Sequence, residues 1–391
     1  MIEAATTSTT SEKKILALFL DGTWNDTGDN TNVWRLKSLC AGKASAGLQQ
    51  LAYYDRGVNG LWGGSFGKGL IENVIQAYEW LVENYNYGDE IFIFGFSRGA
   101  YTARSLAGFV AKQGLLLRGA PLGVGQIYER YKRAECETIY KLQERMESAV
   151  AESITLEETW MLKYSQKIDI TMVGVWDTVG AHGVPAFNIP GISSTSLGFL
   201  HTGLRQSIRN AYHAVAIDEH RRKFAPTLWT KLSSTMSAPR PLESVEQRWF
   251  AGAHANVGGG YKSDPLSQPS LRWMMSKART LGLGFTGDIV PDDLVKTEIA
   301  DSYKGFLKGC YSWVSPRNMR PISSAPTPTG KPGETEQTIN ETIDASVFDR
   351  YRQDSSYRPA NLLTWAEQAK IKIESVQGSV LASNPTRQVA D

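Results

Sequence analysis

The sequence predicts an α/β fold, a mainly parallel sheet with helices on both faces, from three observations. Short apolar runs alternate with helix-periodic stretches through the first third of the chain. One of those runs ends in a serine flanked by glycines. The chain has 391 residues, 41% of them hydrophobic and 10% aromatic, enough for one large α/β domain or two ordinary ones.

The elements follow in order. Lys14–Leu20 is an apolar strand that ends in the polar loop Asp21-Gly22-Thr23-Trp24-Asn25. Asn32 to about Ala41 reads as a helix stopped by Gly42. Gln50–Tyr54 is a second strand, followed by a glycine-rich loop from Gly57 to Gly69. The next helix aligns Leu70, Val74, Ala77, Tyr78 and Leu81 on one face and stops near Tyr87-Gly88-Asp89. Glu90–Phe94 is then a third strand, and the residues after Ser97 turn helical, with Ala103, Leu106, Ala107 and Val110 on one face. This β-α-β-α-β-α order calls for parallel strands joined by crossover helices.

The pattern changes from Leu115 to Gln166, where Gln126–Val150 is charged and helical. Two readings stand here: a solvated helical pair, or a lid over the site. Asp169–Trp176 is a buried strand ending at Asp177, Ser196–Ala216 looks largely helical, and Gln247–Ala251 is the last convincing strand. Leu266–Leu281 is helical again. Residues 321–338 are rich in Pro, Ser, Thr and Gly and read as a loop. The chain thus divides into a flexible start over 1–13, one catalytic domain over 14–363, and a tail over 364–391 without a core pattern.

Composition excludes several functions. The formal net charge is +2, so nothing points to nucleic acid. Cys40, Cys136 and Cys310 lie far apart and build neither a disulfide framework nor a metal knuckle. Asp21, Asp26 and Asp29 miss the spacing of a calcium loop and suit turn chemistry and helix capping. The glycines from Gly57 to Gly69 lack the lysine of a phosphate loop. No cofactor or metal is expected. The first dozen residues show no apolar signal core, and the apolar runs are shorter than a bilayer span. A cytoplasmic protein, or one exported without an N-terminal signal peptide, is the expectation.

The chemistry concentrates at Gly95-Phe96-Ser97-Arg98-Gly99, which fits G-x-S-x-G between a strand and a helix. In this nucleophile elbow a tight turn exposes the serine hydroxyl at the sheet edge. The partners of an α/β-hydrolase follow as acid and then histidine, each in a loop after a strand. Asp177 is the acid placed directly after an apolar strand. Of the five histidines, His254 follows a late strand in a glycine-rich loop, while His182 is the alternative base. His201, His213 and His220 fall in or near predicted helices, where packing or surface roles suit them. Arg98 N–H and the Gly22 or Thr23 N–H are the expected oxyanion donors. Counting strands back from the elbow, the two antiparallel edge strands that usually open the fold are missing.

Four blocks then carry a family resemblance: Leu18–Asn25 (LFLDGTWN), Gly95–Arg104 (GFSRGAYTAR), Val173–Gly180 (VGVWDTVG) and Gly252–Tyr261 (GAHANVGGGY). In this order they resemble a large family of α/β-hydrolase domains that includes the type VI secretion phospholipase effectors. The similarity runs from about Ile15 to Trp273, with a weaker echo from Ala345 to Leu362. The resemblance implies a Ser-Asp-His esterase or lipase, with phospholipase A activity in the secreted members. By position its triad is Ser97, Asp177 and His254. It also implies a lipid or ester substrate, transient contact with a membrane surface and a secretion-machinery partner; oligomeric state stays open. Two departures stand out. Asn256 occupies a position where the family usually has aspartate, and the chain has little room for the long membrane-contacting domain of many effectors. The alternatives are a carboxylesterase or acyltransferase acting on a small soluble ester, and a non-catalytic binding module of the same fold.

Overall fold

The computed structural model describes the chain apart from residues 1–11, 23–27, 58–64, 134, 149–153, 180–203, 235–237, 263, 293–296, 306–315, 329–332 and 391. A nine-stranded sheet organises it. Its strands are β1 (Ile15–Leu20), β2 (Gln50–Asp55), β3 (Glu90–Phe96), β4 (Ile170–Trp176), β5 (Ile208–Ala216), β6 (Val245–Phe250), β7 (Glu341–Ile343), β8 (Ser379–Leu381) and β9 (Asn384–Val389). Across the sheet the order is β9-β8-β7-β6-β5-β4-β3-β1-β2. Pairing is parallel from β2 to β7, and only the β7–β8 and β8–β9 pairs are antiparallel. Among the described residues the sheet ends at β2 on the side of the first strand, with no antiparallel strand beyond it.

Strand periodicity splits the core in two. In β1, Leu16, Leu18 and Leu20 point into the layer beneath α2 (Ser65–Asn84) and α3 (Arg98–Gln113). Ile15, Ala17 and Phe19 point to the opposite layer, with α1 (Asn32–Leu39) and α8 (Gln268–Thr280). Every residue of β1 is buried, as a strand covered on both faces requires. A third cluster, around Trp249, Phe348, Leu362 and Trp365, packs α9 (Ala345–Gln353) and α10 (Ala360–Ala369) against the far end of the sheet.

Three sequence expectations are corrected. The end of the Ser196–Ala216 stretch is strand β5, not helix. Ile208, Ala211, Tyr212 and Val215 sit at helical offsets, but the backbone of β5 pairs with β4 on one side and β6 on the other. Tertiary pairing overrides local periodicity here. Residues 364–391 are not a tail: they finish α10 and supply β8 and β9. Within 321–338, Thr327–Pro328 and Thr335–Thr338 join Thr230–Leu232 in a small separate sheet.

The insertion 115–166 holds α4 (Val124–Lys132), α5 (Ile139–Glu147) and α6 (Leu156–Tyr164), closed by a two-stranded ribbon of Leu115–Leu116 with Ser165–Gln166. Its apolar residues Leu115, Leu116, Ile127 and Tyr131 are buried in the α2–α3 layer. Leu117, Met146, Leu156 and Trp160 of the same insertion are exposed. Because α3 starts at the serine and runs antiparallel to the strands, the insertion leaves and re-enters at the opposite edge of the sheet.

Candidate active site

Ser97, Asp177 and His254 lie at the C-terminal ends of β3, β4 and β6, the edge where open α/β sheets place their ligands. Ser97 occupies the left-handed region at φ 57° and ψ −119°, strained for a residue with a Cβ. Two contacts hold it there: its N–H donates to Trp176 O at 3.0 Å, and its C=O accepts from Tyr101 N at 3.3 Å. The elbow glycines are steric requirements. A Cβ on Gly95 would sit 2.4 Å from Gly99 O, and one on Gly99 would sit 2.1 Å from Leu20 O and 2.4 Å from Asp21 O. The first turn of α3 therefore presses directly on the end of β1.

His254 opens α7 (His254–Gly258). Its Nε2 is 2.8 Å from Ser97 Oγ and its Nδ1 is 2.5 Å from Asp177 Oδ2, so the three side chains form one hydrogen-bonded chain. All three are buried. The ring is held between Phe96, at 4.7 Å between centroids, and Phe224, edge-on at 5.1 Å. Its backbone N–H points at Glu219 Oε2 at 3.4 Å. Glu219 is gripped by Arg221 through Nε and Nη2 at 2.9 and 2.7 Å.

The charges follow from this packing. Burial lowers the pKa of His254 below the usual imidazole value, although its hydrogen bond to Asp177 and that carboxylate's charge pull the other way. The ring is neutral at neutral pH and can accept a proton at Nε2. Burial would raise Asp177, but the Arg320 guanidinium and His254 hold its carboxyl well below the usual range. Burial likewise opposes ionisation of Glu219, and Arg221 prevails, bringing it down to about 2.

Arg320 was not legible in the sequence. It is a single arginine beside a proline, outside any motif, and only the folded chain brings it to Asp177. Its guanidinium donates to both carboxylate oxygens, through Nη1 at 2.6 Å and Nη2 at 3.0 Å.

The remaining site residues fare differently. Arg98 begins α3, directly after the serine. The Gly22 N–H instead donates to Asp21 Oδ1 at 2.8 Å, which corrects the expectation that it is a ready oxyanion donor; Thr23 lies outside the described residues. Asp21 is a loop anchor: its Oδ2 accepts from Thr31 Oγ1 at 2.6 Å and Tyr54 OH at 3.0 Å. His182, His201, Asp26 and Cys310 also lie outside the described residues, as do 58–64 of the glycine-rich loop. His213 is fully buried, in β5 rather than a helix; its Nε2 accepts from Thr178 N at 3.0 Å, leaving Nδ1–H for Gln247 Oε1 at 3.3 Å. It thereby steadies the backbone just after Asp177. His220 Nδ1 lies 3.2 Å from Asn318 O.

Asn256 has a clear structural logic. Its Oδ1 accepts from Ala253 N and Ala300 N, and its Nδ2 donates to Asp264 Oδ2 at 2.8 Å. An aspartate here would set two carboxylates against each other. Among the described residues, no cluster of three His, Cys, Asp or Glu side chains offers a metal site, and no helix is long and apolar enough to cross a membrane.

Comparison with known proteins bears on this geometry. The model of a family described as "T6SS, Phospholipase effector Tle1-like, catalytic domain" matches residues 14–277. The chain belongs to this family. An uncharacterised protein of Saccharomyces cerevisiae, YEL023C, is 27% identical over 249 residues, 58% of this chain and 34% of the yeast protein. Among solved structures, an uncharacterised Pseudomonas aeruginosa protein aligns over 78% of this chain and 51% of its own, at 16% identity and TM-score 0.43. The Tle1 effector bound to the VgrG spike of the type 6 secretion system aligns over 65% and 52%, at 17% identity and TM-score 0.36. The chain spans about a third of the yeast relative and about half of each solved chain.

Proposed function

We propose that this protein is a serine esterase, a lipase or phospholipase A, in which Ser97 is the nucleophile, His254 the base and Asp177 the orienting acid. The observation that carries the reading is the unbroken chain from Ser97 Oγ through both ring nitrogens of His254 to Asp177. Ser97 Oγ attacks the acyl carbonyl carbon while its proton passes to Nε2 of the neutral imidazole. The carbonyl oxygen becomes an oxyanion, held by the Arg98 N–H at the start of α3 and by a donor from the loop after β1. Collapse expels the alcohol, which takes the proton from His254 and leaves an acyl ester on Ser97. Water, deprotonated by His254, then releases the carboxylic acid and restores the serine. Asp177 keeps the Nδ1–H tautomer and stabilises the imidazolium at each transfer.

The family supports lipid as the acyl donor. A short soluble ester is the second reading, favoured by one observation: Leu115, Leu116, Ile127 and Tyr131 of the insertion are buried in the core. Purified protein incubated with defined phospholipids and with p-nitrophenyl esters of increasing chain length tests both. Release of fatty acid from phospholipid supports the first reading; activity confined to acetate and butyrate esters supports the second. Delivery by a secretion machinery completes the proposal, and co-purification with a type VI spike protein tests it.

A further inference from the structure

We propose that Arg320 is a positioning residue of this site: its two-pronged grip orients the Asp177 carboxylate and offsets its charge, so that the acid is completed from beyond the stretch matched by the family model. The inference rests on the serine-hydrolase reading above. Its geometry is independent of that reading. Both side chains are fully buried, and Nη1 and Nη2 each take one carboxylate oxygen. The same nitrogens also donate to Ala216 O at 2.7 Å and to Phe224 O. Arg320 thus spans the end of β5 and the loop whose Phe224 packs on His254. Asp177 Oδ1 further accepts from Ala216 N at 3.0 Å, which leaves the carboxylate no freedom to rotate. Asn361, in α10, fixes the backbone of Arg320 by donating to its C=O at 3.1 Å and to Ile217 O at 3.0 Å.

The consequence is electrostatic. An aspartate against an imidazole raises the affinity of the ring for a proton, because the two charges attract. With Arg320 locked on that aspartate, much of the attraction is cancelled. The other charged groups near His254, Glu219 and Arg221, neutralise each other as a pair. His254 is therefore kept as a free base toward lower pH. Removing the guanidinium leaves Asp177 uncompensated, which draws a proton onto His254 or onto Asp177 itself. Either event moves the acid limb of the rate profile upward.

The experiment is the pH dependence of kcat/KM on p-nitrophenyl butyrate for the full chain, the Arg320→Gln variant and the Arg320→Lys variant. Arg320→Gln should move the acid limb up by about one pH unit or more. An unmoved limb in Arg320→Gln, with only kcat reduced, would overturn the proposal. Should Arg320→Gln fail to fold, Arg320→Lys decides. It keeps the charge but not the fork, so the limb should stay within about 0.3 unit while kcat falls roughly tenfold. An unchanged kcat or a displaced limb in that variant overturns the proposal. A wild-type protein that neither hydrolyses the ester nor reacts with a fluorophosphonate would instead overturn the underlying hydrolase reading.

Discussion

Strands β1, β3 and β4 are six or seven residues long and almost wholly buried, whereas β7 and β8 have three residues each and β9 is a polar edge strand. The first group is held by burial on both faces. The second buries fewer residues, Ile343 and Val380 among them, and adds side-chain anchors: Trp249 Nε1 donates to Glu341 Oε2 at 2.8 Å, Trp365 Nε1 to Ala382 O at 2.9 Å, and Arg248 Nη2 to Ala390 O at 2.7 Å. Burial of a strand writes itself into an apolar run, while attachment by long-range hydrogen bonds leaves no local pattern. The nucleophile and acid follow β3 and β4 of the first group, the base follows β6, and the arginine that grips the acid lies between β6 and β7 in the chain.

Variants can break this contrast, beginning with the largest effect. At the triad, His254→Ala should lower kcat/KM by about 10⁴-fold or more, and Asp177→Asn by on the order of 10³–10⁴-fold, both with folding intact by circular dichroism. Gly99→Ala should instead abolish the fold near the elbow. Its Cβ would meet two backbone carbonyls that cannot move, Leu20 O and Asp21 O, and a loss above about 3 kcal/mol in urea unfolding is expected.

In the polar group, effects should be smaller and spread out. Asn361→Ala removes three buried hydrogen bonds, leaving the carbonyls of Ile217 and Arg320 without that donor and the Leu362 N–H without that acceptor, for a cost of about 1–3 kcal/mol. Activity should fall only several-fold. A cost near zero would mean that α10 does not hold Arg320 in place.

A pH-dependent effect on stability sharpens the contrast between the two histidines near Asp177. Burial, and next the charge of Arg104, depresses His213 to about 3. Between that value and its ordinary value of 6.5, the unfolded chain carries a proton on His213 that the folded chain does not. Stability should therefore fall as pH drops through this window, by about 1.4 kcal/mol per unit from this group. Urea midpoints of His213→Gln should show a flatter slope than wild type, and parallel slopes would refute the assignment.

Legibility followed the same division. Ser97, Asp177 and His254 each stand after a strand, so chain order alone pointed to three side chains that the fold sets in hydrogen-bond contact. Strand β5 was hidden because Ile208, Ala211, Tyr212 and Val215 fall at offsets that also suit a helix. Arg320 was hidden because its buried ion pair with Asp177 joins distant segments and carries no periodicity. The Gly22 amide was misjudged because the neighbouring carboxylate that engages it is visible only in three dimensions.

The central claim is that Ser97 is an activated nucleophile. Incubation with a fluorophosphonate followed by intact-mass and peptide analysis addresses it directly. A single adduct on Ser97, absent from Ser97→Ala and strongly slowed in His254→Ala, is the expected result. An adduct that persists in Ser97→Ala, or a wild-type protein that stays unmodified, would contradict it.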